Sequence, residues 1–233
     1  MSNEARRALV TGSSSGIGLA ICEALLAQGW QVTGLDQAPP RLVHDDFEPS
    51  AVDLSQPAAI DAMLRNLPTV QAFVHAAGVL RVARIGQLQP DAGETMWRIH
   101  VDAATRLANH LLPAMVAAGR GRVVLVGSRV SRGIAGRSQY AATKAALASL
   151  ARSWAAEVVA RGVTVNVVSP AATATAMARD PGRSAVAPRV PPIGRLIQPA
   201  EIASLVAYLL SPAAAAITGQ DIQVCGGASL EGT

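Results

Sequence analysis

Residues 8–21 read Ala8-Leu9-Val10-Thr11-Gly12-Ser13-Ser14-Ser15-Gly16-Ile17-Gly18-Leu19-Ala20-Ile21. A short apolar run gives way to a glycine-rich turn and then to a helical pattern, in which Ile17, Ile21, Ala24 and Leu25 form one apolar stripe. Strand, turn and helix in that order open a parallel βαβ unit. Gly12 permits the tight turn, while Gly16 and Gly18, lacking Cβ, let the backbone approach a pyrophosphate and the neighbouring strand. The helix N-terminus adds free N–H groups and the positive end of its dipole. Gly12, Ser14, Ser15, Gly16, Ile17 and Gly18 therefore make up a candidate dinucleotide site.

The same alternation continues along the chain. Patterning predicts strands near 7–12, 30–35, 50–53, 71–76, 121–127, 163–168 and 219–225. It predicts helices near 16–28, 57–66, 91–118, 138–161 and 199–210. No internal repeat or break in composition divides residues 1–233, so the expectation is a single α/β domain. Its architecture is expected to be Rossmann-type and doubly wound, with one central parallel sheet of about seven strands and helices on both faces. In such sheets ligands bind at the carboxyl edge of the strands, where Gly12, Asp36, Gly78 and Ser128 all fall. Hydrophobic residues make up 50% of the chain and aromatics only 3%, which demands a thinly layered core of Ala, Val, Leu and Ile. A sheet buried on both faces supplies such a core.

Several function classes are disfavoured on composition. The net charge of +4 comes from scattered arginines, without a dense basic block or interleaved aromatics, so no nucleic-acid partner is expected. Cys22 and Cys225 form no disulfide framework, and His44, His75, His100 and His110 lack metal-ligand spacing, so no metal is expected and these histidines read as solvated or structural. The start of the chain enters the first strand directly, and the apolar stretch Ile202–Leu210 stops at Pro212. No signal peptide or membrane span is therefore expected, and the protein reads as cytoplasmic.

Two further features carry chemistry. Asp36 ends the second strand, where a carboxylate accepts hydrogen bonds from ribose hydroxyls and repels a 2′-phosphate, which favours NAD over NADP. Tyr140 and Lys144 stand at i and i+4 at the opening of a helix, so phenol and ammonium share one face. A fixed cation stabilises the phenolate and draws the phenol towards the working pH range. Ser128, after the run Val123-Val124-Leu125-Val126, is placed to reach the same reacting oxygen.

Thr11-Gly12, Gly16-Ile17-Gly18, Ala76-Ala77-Gly78, Gly127-Ser128, Tyr140 with Lys144, Asn166 to Pro170 and Ile217 to Gln220 occur in the order found in short-chain dehydrogenases/reductases. The chain resembles that family from about Arg7 to Ser229. The resemblance implies hydride transfer between a nicotinamide and a small alcohol or ketone, with Tyr140 as general acid/base, Lys144 on the nicotinamide ribose and Ser128 on the substrate oxygen. It further implies that Asp53 and Leu54 border the adenine, that Ala76, Ala77 and Gly78 line the cofactor, and that Pro170, Ala171, Thr173 and Thr175 hold the carboxamide. It implies a homotetramer or homodimer built on the helices at 91–118 and 138–161.

Asp102 is expected where the family has an Asn supporting a proton-relay water, and His75 and Ala171 replace the family's usual Asn and Gly. The irregular residues 171–198, with Pro181, Pro188, Pro191 and Pro192, are expected to form a substrate lid with an apolar wall of Met177, Val186, Val190 and Ile193. Its Arg179, Arg183 and Arg189 read as solvated in preference to meeting a carboxylate. Residues 77–81 and 166–177 are similar to dehydrogenases of cyclic dihydrodiols, which points to a ring hydroxyl. Two readings stand at this level: an NAD-dependent oxidoreductase of a secondary alcohol, and an NAD(H)-binding sensor or scaffold without turnover, suggested by Asp102 and the altered motif at His75.

Overall fold

A computed structural model describes residues 6–179 and 189–230; Pro181, Arg183, Val186 and Pro188 of the expected lid lie outside the described residues. Seven strands form one sheet: β1 (Arg7–Thr11), β2 (Gln31–Asp36), β3 (Phe47–Ala51), β4 (Ala72–His75), β5 (Gly121–Val126), β6 (Val163–Pro170) and β7 (Asp221–Val224). The order is β3-β2-β1-β4-β5-β6-β7 and every pairing is parallel, which confirms the doubly wound α/β fold. The winding direction reverses between β1 and β4, and a cleft opens there at the carboxyl edge.

β-branched residues dominate the central strands, and all of β6 is buried, as expected for strands covered on both faces. On one face Ile21 and Leu25 of α1 (Gly16–Leu26) join Ile202 and Val206 of α6 (Pro199–Leu210) over Val10, Val74 and Val124. On the other, α2 (Pro57–Leu64), α4 (Ala103–Ala117) and α5 (Ser138–Val158) bring Ile60, Leu107, Leu147 and Ala151 against Leu9, Phe73 and Leu125. Alanines at 103, 104, 108, 151 and 155 take the place of bulky side chains and let these helices lie close to the sheet. Among the described residues no helix is long and apolar enough to cross a membrane.

Two elements differ from the sequence expectation. β3 runs Phe47–Ala51 rather than 50–53, because the Phe47 ring packs where β2 has Gly34: a Cβ there would stand 2.6 Å from that ring. Val52, Asp53 and Leu54 leave the sheet and border the cleft. The helix predicted over 91–118 is interrupted: α3 (Pro90–Trp97) passes through a π-helical turn, Arg98–Asp102, into α4. A π-turn holds one more residue than an α-turn, so it changes which residues face inward on its two sides.

His75, at the end of β4, explains part of this region. Its Nε2 lies 3.1 Å from the Ile99 carbonyl, which can only accept, so Nε2 carries the proton. Nδ1 then accepts from the Thr11 hydroxyl at 3.0 Å, and Thr11 Oγ1 accepts in turn from the Ala76 and Ala77 N–H groups. An Asn amide also offers one donor and one acceptor, so imidazole at this position keeps the hydrogen bonding available to the Asn it replaces. Burial first, and then the nearby Lys144 charge, lower the His75 pKa to about 3.

A depressed histidine contributes stability that is complete above its unfolded pKa of about 6.5 and is lost as pH falls towards 3. Thermal melting should therefore fall between pH 6.5 and 4, with His75 contributing on the order of 1 kcal/mol per pH unit. His75→Asn should flatten that slope while preserving the fold, and parallel pH profiles for the two proteins would remove His75 from this account.

Candidate active site

Three side chains meet at the carboxyl edges of β5 and β6. Ser128 follows β5 and caps a 3-10 turn, Arg129–Arg132, with Oγ accepting from the Val130 N–H at 3.2 Å. Tyr140 and Lys144 lie on the first turns of α5, both buried. Lys144 Nζ donates to the Val126 carbonyl at 2.8 Å and lies 5.8 Å from the centre of the Tyr140 ring. Burial lowers its pKa to about 7. Ser128, Tyr140 and Lys144 line one cavity together with Pro170, Ala171 and Thr173. Thr173 is held in place by its hydroxyl, which donates to the Ala171 carbonyl, and by a bridge to Ile197.

Asp102 does not line this cavity. It is exposed at the end of the π-turn and borders a separate surface hollow with Ser55, Pro57 and Arg98. The residue that turns towards Tyr140 is His100, fully buried, its ring edge-on to the phenol with centroids 5.6 Å apart. His100 Nε2 accepts from the Val79 N–H at 3.0 Å, which leaves the proton on Nδ1. Nδ1 donates to Thr143 Oγ1 at 2.8 Å, and the Thr143 hydroxyl donates to the Tyr140 carbonyl, also at 2.8 Å. Burial, followed by the Lys144 charge, holds His100 neutral, well below the ordinary histidine range. The inward stripe Met96, His100, Ala103, Ala104, Leu107 was the sequence signal that separates His100 from Asp102.

The cleft at the strand-order reversal adjoins the Tyr140 cavity, sharing Ile17, Ala76, Gly78 and Thr175 with it. Gly12, Ser15, Gly16, Gly18, Asp36, Asp53, Leu54 and Ala77 line the rest. Gly12 takes φ 72°, and a Cβ on Gly18 would stand 2.1 Å from the Gly12 carbonyl oxygen, so the loop closes only with these residues. Ser14 is the exception among the expected cofactor residues. It is buried behind the cleft, where its N–H donates to Asp36 Oδ2 at 3.0 Å and its hydroxyl to the Ala38 carbonyl. With the Ala38 N–H on Oδ1 at 2.9 Å, this fixes the Asp36 carboxylate at the cleft.

Arg129 and Arg137 also line the Tyr140 cavity, and neither stood out in the sequence. Their positions, one after Ser128 and three before Tyr140, were the available signal. Arg189, read from sequence as solvated, is exposed and borders the same cavity.

This geometry agrees with the comparisons. A family profile described as enoyl-(acyl carrier protein) reductase matches residues 12–229. The chain is 37% identical over 241 residues to the 3-oxoacyl-(acyl-carrier-protein) reductase of Vibrio cholerae serotype O1, covering 97% of this chain and 98% of that one. To the 2,3-dihydro-2,3-dihydroxybenzoate dehydrogenase of Escherichia coli K12 it is 34% identical over 238 residues, covering 95% and 96%. A solved structure described as a short chain dehydrogenase/reductase family protein superimposes with a TM-score of 0.89 at 32% identity, covering 98% of this chain and 99% of that one. Matches that run the length of the sheet and take in both the cleft and the Tyr140 cavity show that the chain belongs to the short-chain dehydrogenase/reductase family of oxidoreductases.

Proposed function

We propose that the protein is an NAD-dependent oxidoreductase that interconverts a secondary alcohol, in particular a ring hydroxyl or cyclic diol, and the corresponding ketone. The observation that carries this reading is the continuity of two sites: a cavity holding Ser128, Tyr140 and Lys144 opens into a glycine-lined cleft bordered by Asp36 and Asp53. The two relatives act on a 3-oxoacyl group and on a dihydroxylated ring, both of which belong to carbonyl and secondary-alcohol chemistry. The ring reading is supported by the second of them and by residues 77–81 and 166–177.

The cleft fits a nicotinamide dinucleotide. Gly12, Ser15, Gly16, Ile17 and Gly18 would hold the pyrophosphate, Asp36 the adenosine ribose, and Asp53 and Leu54 the adenine edge. Ala76, Ala77 and Gly78 would border the middle of the cofactor, with Lys144 on the nicotinamide ribose and Pro170, Ala171, Thr173 and Thr175 about the carboxamide. Both Asp36 oxygens are already held by N–H groups, yet each keeps acceptor capacity for a ribose hydroxyl. No Lys or Arg is among the described residues lining the cleft, so a 2′-phosphate would meet carboxylate without a compensating cation. When bound, the nicotinamide supplies the hydride acceptor or donor.

Tyr140 moves the proton at the substrate oxygen, as base in oxidation and acid in reduction. The ammonium of Lys144, oriented by the Val126 carbonyl, favours the phenolate, and the Ser128 hydroxyl orients the substrate oxygen and stabilises charge on it. His100 acts as a positioning residue: through Thr143 it holds the backbone at Tyr140, and through Val79 it holds the segment bordering the cleft. Turnover is favoured over a non-catalytic sensor by the position of Asp102 outside the cavity and by the hydrogen bonds on both ring nitrogens of His75.

In fluorescence titrations NADH should bind more tightly than NADPH, and Asp36→Ala should narrow the difference; tighter NADPH binding by the unaltered protein would overturn the cofactor assignment. In steady-state assays Tyr140→Phe should lower kcat by about 10²- to 10⁴-fold with NADH affinity nearly intact, whereas Lys144→Met should weaken both. His100→Leu should lower kcat and shift its pH profile, with partial rescue by His100→Asn, and Asp102→Asn should leave activity near that of the parent. Loss of turnover in Asp102→Asn, with fold and NADH binding preserved, would return Asp102 to the mechanism.

A further inference from the structure

We infer that Ser14, buried behind the cleft, is a positioning residue for cofactor selection: its hydroxyl keeps the Asp36 carboxylate in the orientation that accepts a ribose hydroxyl and rejects a 2′-phosphate; this rests on the NAD reading above. Three successive N–H groups of the glycine loop converge on the end of β2. Those of Gly12 and Ser13 donate to the Leu35 carbonyl at 2.8 and 3.4 Å, and that of Ser14 donates to Asp36 Oδ2 at 3.0 Å. Such a run of N–H groups makes a concave seat for an anion, and here the seated anion is the protein's own carboxylate. The Ser14 hydroxyl closes the ring. It donates to the Ala38 carbonyl at 3.0 Å, and the Ala38 N–H returns to Asp36 Oδ1 at 2.9 Å. Residues 37–40 are exposed, and Pro39 and Pro40 carry no N–H, so the two residues after Ala38 cannot replace its donor.

A carboxylate held by an N–H group on each oxygen has lost most of its rotamer freedom before any cofactor arrives. For a ribose hydroxyl this is an advantage, because the acceptor is already in place and little ordering cost remains. For a 2′-phosphate it is a penalty, because a carboxylate that cannot swing aside keeps its charge beside the phosphate. Without the Ser14 hydroxyl, the exposed stretch at Ala38 loses its tie to the glycine loop, and the Ala38 N–H loses its fixed position on Asp36. The carboxylate then turns more freely, which weakens the hold on the hydroxyl and relieves the repulsion of the phosphate. Both effects shift the balance towards NADPH. A hydroxyl that only stabilised the loop would weaken both cofactors in the same proportion, because they share the pyrophosphate.

The test is fluorescence titration of the unaltered protein, Ser14→Ala and Ser14→Thr with NADH and with NADPH. Ser14→Ala should lower the ratio of the NADPH to the NADH dissociation constant by about three- to tenfold, the range for one neutral hydrogen bond. Ser14→Thr, which keeps the hydroxyl, should retain the ratio of the unaltered protein. A ratio unchanged in Ser14→Ala, or lowered equally in both variants, would overturn the inference while leaving the NAD reading in place. NADPH binding as tight as NADH binding by the unaltered protein would remove the NAD reading and the role of Ser14 with it. Residue-resolved amide exchange of the unaltered protein without cofactor decides even where a variant fails to fold. The Ser14 and Ala38 N–H groups should exchange at least about tenfold more slowly than unhindered amides. Exchange of either at the unhindered rate would show that the carboxylate is not held in advance, and would overturn the inference.

Discussion

A chain of hydrogen bonds across the reversal in strand order connects the two halves of the site. It begins at the Thr11 hydroxyl, which holds the backbone after β4 and donates to His75. His75 grips the Ile99 carbonyl inside the π-turn. The next residue, His100, reaches Val79 on one side and Thr143 on the other, and Thr143 ends the chain on the Tyr140 carbonyl. The glycine loop and α5 come from distant parts of the sequence, and this chain of bonds ties the one to the other. The two histidines hold opposite tautomers, each dictated by a backbone partner that can only donate or only accept.

The buried Lys144 gives that arrangement its electrostatic logic. An ammonium so far from water would raise the cost of any other positive charge nearby, and its field is among the forces that keep both histidines neutral. Neutral imidazoles fill a crowded, polar interior without adding positive charge beside Lys144. The same burial that weakens the lysine's hold on its own proton therefore makes it the one basic group in this cluster poised near neutral pH.

Much of this was legible in the chain. The glycine loop, the i, i+4 pair on α5 and the alternation of strands with helices are local patterns, and local patterns survive folding. What failed was the placing of one residue by resemblance. Asp102 was put where the family has an Asn, but it faces outward, and His100 faces inward on the helical stripe that holds Met96 and Ala103. Ser14 was misplaced for a similar reason: its N–H and hydroxyl turn towards the β2 loop, a choice made by tertiary packing that spacing does not reveal. Arg129 and Arg137 were invisible because scattered arginines usually are solvated, and only the fold shows these two lining the cavity of Tyr140.

The π-turn has one more consequence. Rewinding Arg98–Asp102 as α-helix with every residue kept is the change that local backbone energetics alone would favour. It would also turn α3 by about 100° relative to α4. Met96 would then leave the core and Trp97 or its neighbour would be forced inward, while Gly93, which now lies against the Gln139 side chain, would lose its place beside α5. A helix that looks continuous therefore contains a segment whose winding is fixed, and the irregularity itself keeps the two flanking helices in phase with the site.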